Sequence, residues 1–367
     1  GHQLKEAAAA LQQAFETAFS AERRPAFTHC TAVRPQTSVL SREALHFDLD
    51  IFDALHPWDS DTVCEVNFAA VDVDAQGHVY VLETHHCWLF CFNAQGQLVY
   101  GLREHDLADR AFLHPESLFQ PSDIATSDRH LYVAGAQGKV HVYTLQGQPV
   151  RHLLPPAGMG NPLSLAALPD DRLFVLYQHS AQIHAFNAQG VYQGAFGCNT
   201  TLRHIDKSYF CGLAAHDHQV YLYDRQWVQA FETPPHASSS PSAHWAAPSG
   251  TELPRCWNGV SVDQDRLWVA DALNSQVGTA PLGRAPSLQG KATGLVPLRV
   301  AGLRLQAPND VAADGHGGVY IANTGSANVL HVSAQKKIRV LIEHPRFCAD
   351  AAVSSSNQST ERKKVTS

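Results

Sequence analysis

The chain has 367 residues, 44% hydrophobic and 17% charged, with 24 Gly, 20 Pro and a formal net charge of −7. That composition describes a loop-rich globular protein, and no run of Lys and Arg is long enough to follow a phosphate backbone, which argues against nucleic acid as a partner. No window approaches the roughly 18 continuous apolar residues of a membrane helix, and the N-terminus lacks the basic-then-apolar order of a signal peptide. The expectation is a soluble, cytoplasmic chain, with a periplasmic or secreted one as the alternative if a leader preceded Gly1 and His2.

At the N-terminus, "LKEAAAALQQAFETAF" sets Leu4, Ala8, Leu11, Phe15 and Phe19 on one stripe at helical spacing, and Pro25 ends the helix. Residues 1–25 are therefore expected to form an amphipathic helix, packed on the body of the protein or pairing two copies into a dimer. Residues 26–58 are expected to supply an outer strand, since "HFDLDIF" (His46 to Phe52) alternates with a period of two.

From Val71 onward one pattern recurs. "VDVDAQGHVYVLETHHCWLFCFNAQGQLV" and "LAALPDDRLFVLYQHSAQIHAFNAQGVYQGAFG" share the order strand, Asp/Gly/Asn turn, β-branched strand, polar turn, alternating strand and second Gly-bearing turn. Weaker copies start at Ile124, Leu213, Val260 and Val311, so that six copies follow one another at spacings of roughly 41 to 53 residues. A multi-strand unit with that period is the signature of a propeller. The predicted fold class is all-β, a six-bladed β-propeller over residues 26–350 with an N-terminal helical extension, and a polar, disordered tail over 351–367. The eight cysteines are scattered through a large chain and predict buried thiols, not a disulfide framework.

The segments "APNDVAADGHGGVYIAN" and "RCWNGVSVDQDRLWVAD" resemble the units of NHL-repeat propellers, over about three quarters of the chain. The resemblance implies the fold more sharply than the function, because propellers serve as scaffolds, lyases and lactonases alike.

In a propeller, the segment leading into each inner strand and the turn between the second and third strands share one face around the channel. Here the leading segments are Phe68-Ala69-Ala70, Pro121-Ser122-Asp123, Pro162-Leu163-Ser164, Phe210-Cys211-Gly212, Trp257-Asn258-Gly259 and Pro308-Asn309-Asp310. Asn258 and Asn309 thus stand at equivalent places in adjacent blades, and Asp123 matches Asp310. Such oxygen donors suit a hard cation like Ca²⁺; equally, Asn and Asp at these places accept turn amides. The set is similar to gluconolactonase and paraoxonase propellers. That resemblance implies Ca held by Asn258, Asn309, Asp310 and Glu65, and lactone or ester hydrolysis, although "CEVNFAA" stands where those families carry Glu-Gly-Pro.

Further candidates for the same face are Asp123, Asp224, Asp271, Asn323, Trp257, His85, His86 and His179. Other histidines, His105, His114, His152, His204, His236 and His244, are expected in loops between blades, where imidazoles bind Zn²⁺ or Cu²⁺ or act as general bases. The loops 101–122, 194–210, 232–257 and 282–296 are long, and the Pro- and Ser-rich one ending at Trp257 reads as an insertion, a lid or a partner-binding loop. No nucleophile, base and orienting residue stand at interpretable spacing. The leading expectation is a module that binds a protein partner or a small-molecule ligand. A Ca-dependent lactone or ester hydrolase is the alternative, and a histidine-based transition-metal or redox protein ranks third.

Overall fold

The computed structural model describes residues 67–84, 88–102, 121–135, 138–155, 157–180, 182–198, 211–224, 227–234, 242–246, 257–263, 266–282 and 296–343. The predicted helix over 1–25, the segment 26–58 and the tail 351–367 lie outside them, as do Glu65, His85, His86, His105, His114, His204 and His236.

Each sequence copy folds into one four-stranded antiparallel sheet, and six sheets form a six-bladed β-propeller. Blade 1 holds β1 (Phe68–Val73), β2 (Val79–Glu83), β3 (Trp88–Phe92) and β4 (Leu98–Leu102), and blade 2 holds β5 (Ile124–Thr126), β6 (His130–Ala134), β7 (Val140–Thr144) and β8 (Pro149–Leu153). Blade 3 holds β9 (Pro162–Ala167), β10 (Leu173–Tyr177), β11 (Gln182–Phe186) and β12 (Tyr192–Cys198), and blade 4 holds β13 (Cys211–His216), β14 (Gln219–Asp224), β15 (Trp227–Glu232) and β16 (Ala243–Ala246). Blade 5 holds β17 (Trp257–Val262), β18 (Arg266–Asp271), β19 (Gln276–Pro281) and β20 (Val296–Pro297), and blade 6 holds β21 (Asp310–Ala313), β22 (Val319–Asn323), β23 (Asn328–Val332) and β24 (Ile338–Glu343).

The repeated sequence explains the repeated turns. The two "FNAQG" phrases end β3 and β11, where Asn93 Oδ1 accepts the amide of Gln97 at 2.8 Å and Asn187 Oδ1 that of Val191 at 2.9 Å. Gly96 and Gly190 supply the positive φ, +79° and +76°, that these turns require. The Asp that follows the inner strand does the same job one turn earlier: Asp74 accepts the His78 amide and Asp314 the Gly318 amide, each at 2.8 Å.

One apolar core lies at each blade junction. Alternation divides one strand between two cores: Val79 and Val81 of β2 pack towards blade 6, while Tyr80 and Leu82 pack towards blade 2. This is why every residue of β2, β10 and β22 is buried although the sheets are antiparallel.

Blades 1 and 6 each draw four strands from their own stretch of chain, and the outer strand expected from residues 26–58 lies outside the described residues. One expectation is corrected: the long loop 232–257 is not a plain insertion, since its residues 243–246 form β16, paired along β15 from Ala230↔Ala243 to Trp227↔Ala246.

Candidate functional site

The inner strands β1, β5, β9, β13, β17 and β21 contact one another in a closed cycle around the central channel. Each presents an edge without a strand partner there, so amides along that edge need other acceptors. Side chains of the preceding blade supply them. Asp72 Oδ2 accepts the Thr126 amide at 2.6 Å, Asp123 Oδ2 the Leu165 amide at 2.8 Å, and Ser164 Oγ the Leu213 amide at 3.0 Å. Ser261 Oγ takes the Ala313 amide at 2.9 Å, and Asp310 Oδ2 takes the Val71 amide at 2.8 Å, which joins the last blade to the first.

Blade 4 carries Gly212 and Ala214 where its neighbours carry these acceptors. Its junction with blade 5 is made instead by the Tyr223 hydroxyl, which donates to the Asn258 carbonyl at 2.6 Å. Two glycines make room: a Cβ on Gly212 would lie 2.2 Å from the Tyr223 hydroxyl oxygen, and one on Gly259 would lie 2.3 Å from Asp310 Oδ1.

Asp72, Asp123, Tyr223, Ser261 and Asp310 line a cavity of about 1290 Å³ that opens through a ring of β1–β2-type turns, with Asp74, Asp128, Asp170, Asp217, Asp263 and Asp314 at its margin. In an antiparallel blade that is the face opposite the leading segments. The cavity mouth is therefore not on the face where sequence placed the channel candidates. His216, His218, His316 and His331 lie at the mouth too.

At the deep end, burial raises the carboxyls of Asp72 to about 6 and Asp123 to about 7, and it pushes Asp310 well above the carboxylate range. Their backbone hydrogen bonds pull the other way, and neighbouring carboxylates add to the rise: Asp74 for Asp72, Asp72 for Asp123, and Asp123 with Asp72 for Asp310. Burial, with Asp310 and Asp123 nearby, also holds the Tyr223 hydroxyl protonated. At the mouth, His331 sits 2.8 Å from Asp314 and stacks on Tyr320 with ring centres 4.3 Å apart. Arg172 is engaged by Asp170 at 2.8 Å and by the Thr233 hydroxyl at 3.0 Å.

The predicted residues Asn258, Asn309 and Asp310 do come together, in a hydrogen-bond relay. Asn258 Nδ2 donates to Asn309 Oδ1 at 2.9 Å, Asn309 Nδ2 donates to the Ala69 carbonyl at 2.6 Å, and Thr324 Oγ1 reaches the Phe68 carbonyl at 2.6 Å beside it. Asn309 Oδ1 and Asp310 Oδ2 thus already accept N–H groups. The set does not fit a Ca²⁺ site, in which several free oxygens converge. Among the described residues no three His, Cys, Asp or Glu are grouped to hold a metal ion.

Asp271 is buried and accepts Asn274 Nδ2 at 2.9 Å. Asn323 Oδ1 accepts the Gln306 amide at 2.7 Å. Both hold the segment or turn next to their strand end, as does Glu83 at the equivalent place, where Oε1 accepts the Asn67 amide at 2.9 Å. Asp224 pairs with Cys211 and Trp227 by backbone register. Trp257 is fully buried in the blade 4–5 core and does not face the channel. His179 is exposed in the β10–β11 turn, its backbone tied to Met159 at 3.0 Å. His152 is not in a loop: it lies on β8 opposite His141, their rings 4.7 Å apart. His244 lies on β16.

Sequence reasoning missed Asp72, Ser164, Ser261 and Tyr223. Asp123, Ser164 and Asp310 stand four residues before the first turn residue of their blades, and Asp72 and Ser261 two before. A comparison of channel-facing positions across all six copies carries that signal.

No protein-family model matches the sequence, and no curated protein matches it. Among solved structures, the fold is similar to a protein of unknown function from Bacteroides caccae, with a TM-score of 0.50 and 13% identity over 72% of this chain and 93% of that one. It is also similar to virginiamycin B lyase from Staphylococcus aureus, at 0.48 and 12% over 75% and 84%, and to the Neurospora crassa Pan2 WD40 domain, at 0.48 and 10% over 76% and 80%. The six four-stranded sheets define the class as the six-bladed β-propeller, and at these identities the likeness speaks for the fold alone. The neighbours are lyase-like and WD40 propellers and do not single out the NHL-repeat type.

Proposed function

We propose that this propeller is a binding module that takes a small ligand in its central channel, through the mouth ringed by the β1–β2-type turns. The observation that carries this is the cavity of about 1290 Å³ with inner strands of all six blades in its wall. Small-ligand sites run about 300–1000 Å³, so one ligand with some water fills it. The margin carries the exposed carboxylates of Asp128 and Asp217, with Asp72, Asp123 and Asp310 deeper in the wall. A ligand that matches it carries N–H or O–H donors or a positive charge.

The test is a thermal-melt screen of the full chain against small amines, amino acids and polyols, followed by calorimetric titration of any hit. A ligand of the native state raises the melting temperature by mass action. Charge reversal at Asp128 and Asp217, whose side chains do not stitch blades together, is expected to weaken a cationic hit. A screen in which nothing shifts the melt, or a hit that the mouth variants bind unchanged, sinks the proposal.

A further inference from the structure

On the opposite face, the junction of blades 5 and 6 carries a second concavity, of about 450 Å³. One wall is Ser275 and Gln276, in the turn from β18 to β19 and the start of β19; the other is the link from β20 to β21, through Leu298, Val300, Leu303 and Leu305. These four apolar side chains pack against the blade 5–6 core while remaining only half-buried. Beyond them, Leu273 on the first wall is 57% exposed and Val296 on the second 61%. Apolar area left open on two neighbouring elements marks a contact surface more often than chance exposure does.

Both walls are preformed. The Leu298 amide donates to the Val277 carbonyl at 2.7 Å, the Leu303 amide to Val300 at 3.1 Å, and the Gly325 amide to Gln306 at 2.9 Å. The Ala307 amide reaches Ser275 Oγ at 3.2 Å and ties the two walls together.

Charge selects the occupant. The whole chain has 34 acidic against 27 basic residues, yet the 38 residues between Asp271 and Asp310 contain no Asp or Glu and four cations, Arg284, Lys291, Arg299 and Arg304. Arg299 lines the concavity and Arg304 lies beside it, both exposed. We infer that the groove between Ser275 and Leu305 docks a short extended segment of a protein partner whose apolar side chains alternate with Asp or Glu: the apolar residues fill the groove and the carboxylates meet Arg299 and Arg304. Two arginines flanking an apolar floor do not track a phosphate backbone, which needs a row of cations. This surface is independent of the channel and lies on the other face.

The experiment is fluorescence anisotropy of the full chain with a labelled short peptide of alternating Leu and Glu, beside its counterpart with Lys for Glu. The acidic peptide is expected to bind at roughly micromolar affinity, as small interfaces do, and the basic one not to bind. Arg299→Glu with Arg304→Glu weakens binding by about tenfold, since rim charges set complementarity, and leaves the melting temperature unchanged because both side chains are exposed. Lys336→Glu with Lys337→Glu, on the channel-mouth face, leaves binding as it is. Failure of the acidic peptide to bind overturns the inference. So does equal binding of both peptides, binding that survives the arginine reversal, or binding of anionic phospholipid vesicles in place of the peptide.

Discussion

Asp310 Oδ2 accepts the amide hydrogen of Val71 at 2.8 Å across 239 residues of sequence, and this bond belongs to the contact that closes the ring. Among the described residues no strand is exchanged between blades 6 and 1. Closure therefore rests on their shared apolar core and on side chains such as Asp310, Asn309 and Thr324 that cross the junction.

The first prediction concerns that bond. Asp310→Ala leaves the Val71 amide without an acceptor inside the ring and is expected to cost about 1–3 kcal/mol. Asp310→Asn keeps shape and an acceptor oxygen and, because burial pushes the native carboxyl towards its neutral form, costs far less. Urea unfolding of both variants separates the cases; an Asn variant as damaged as the Ala one would show that the negative charge matters.

Stability should also depend on pH in an uncommon direction. Asp72 and Asp123 hold protons in the folded state up to about 6 and about 7, and release them in the unfolded chain near the ordinary 3.8. Their contribution is fully present below the unfolded value and is lost as pH rises through the folded values. Asp171 and Asp314, whose pKa values are lowered, lose theirs as pH falls through the ordinary carboxylate range, and His184, lowered by burial, loses its own as pH falls through 6.5. The measurement is the difference between native protein and Asp72→Asn with Asp123→Asn, unfolded by urea between about pH 5 and pH 8. The native protein should lose stability more steeply with rising pH than the variant.

Gly212 and Gly259 are kept open by neighbours, not by backbone conformation. Gly212→Ala drives a methyl into the Tyr223 hydroxyl, and Gly259→Ala drives one into Asp310. Each is expected to destabilise by about 1–3 kcal/mol, as overpacking does. Tyr223→Phe in the Gly212→Ala background removes only the nearest of three clashing ring atoms, since Cζ and Cε1 remain, and is expected to recover little of the loss; thermal melts of the single and double variants check this.

The Asn258–Asn309 relay predicts indifference to calcium. EDTA or added Ca²⁺ should leave the melt unmoved, while Asn258→Ala lowers stability by about 1 kcal/mol through the lost bond to Asn309. A melt that rises with Ca²⁺ in the native protein but not in Asn258→Ala would restore the cation site implied by the lactonase resemblance.

The sequence by itself determined whatever is local. Each copy of the repeat encodes its turns through nearby contacts: Asp74 with its own turn amides, Asn93 and Asn187 with theirs, and glycines at positive φ. Counting such units was enough for the six-bladed fold, including blades 2 and 4, whose copies match poorly. It was also enough to bring Asn258, Asn309 and Asp310 to one place, because equivalent positions of adjacent repeats must meet around a ring.

Only the tertiary structure decided what those residues do and where the cavity opens. Whether Asp310 points its oxygens at a cation or at Val71 depends on the approach of two blades joined by no short stretch of chain. Likewise, Tyr223 reaches Asn258 only because Gly212 leaves a gap that a glycine in the sequence does not announce. The unpaired amides of the inner edges exist only once the ring is formed, and they draw the polar residues at the channel into holding blades together.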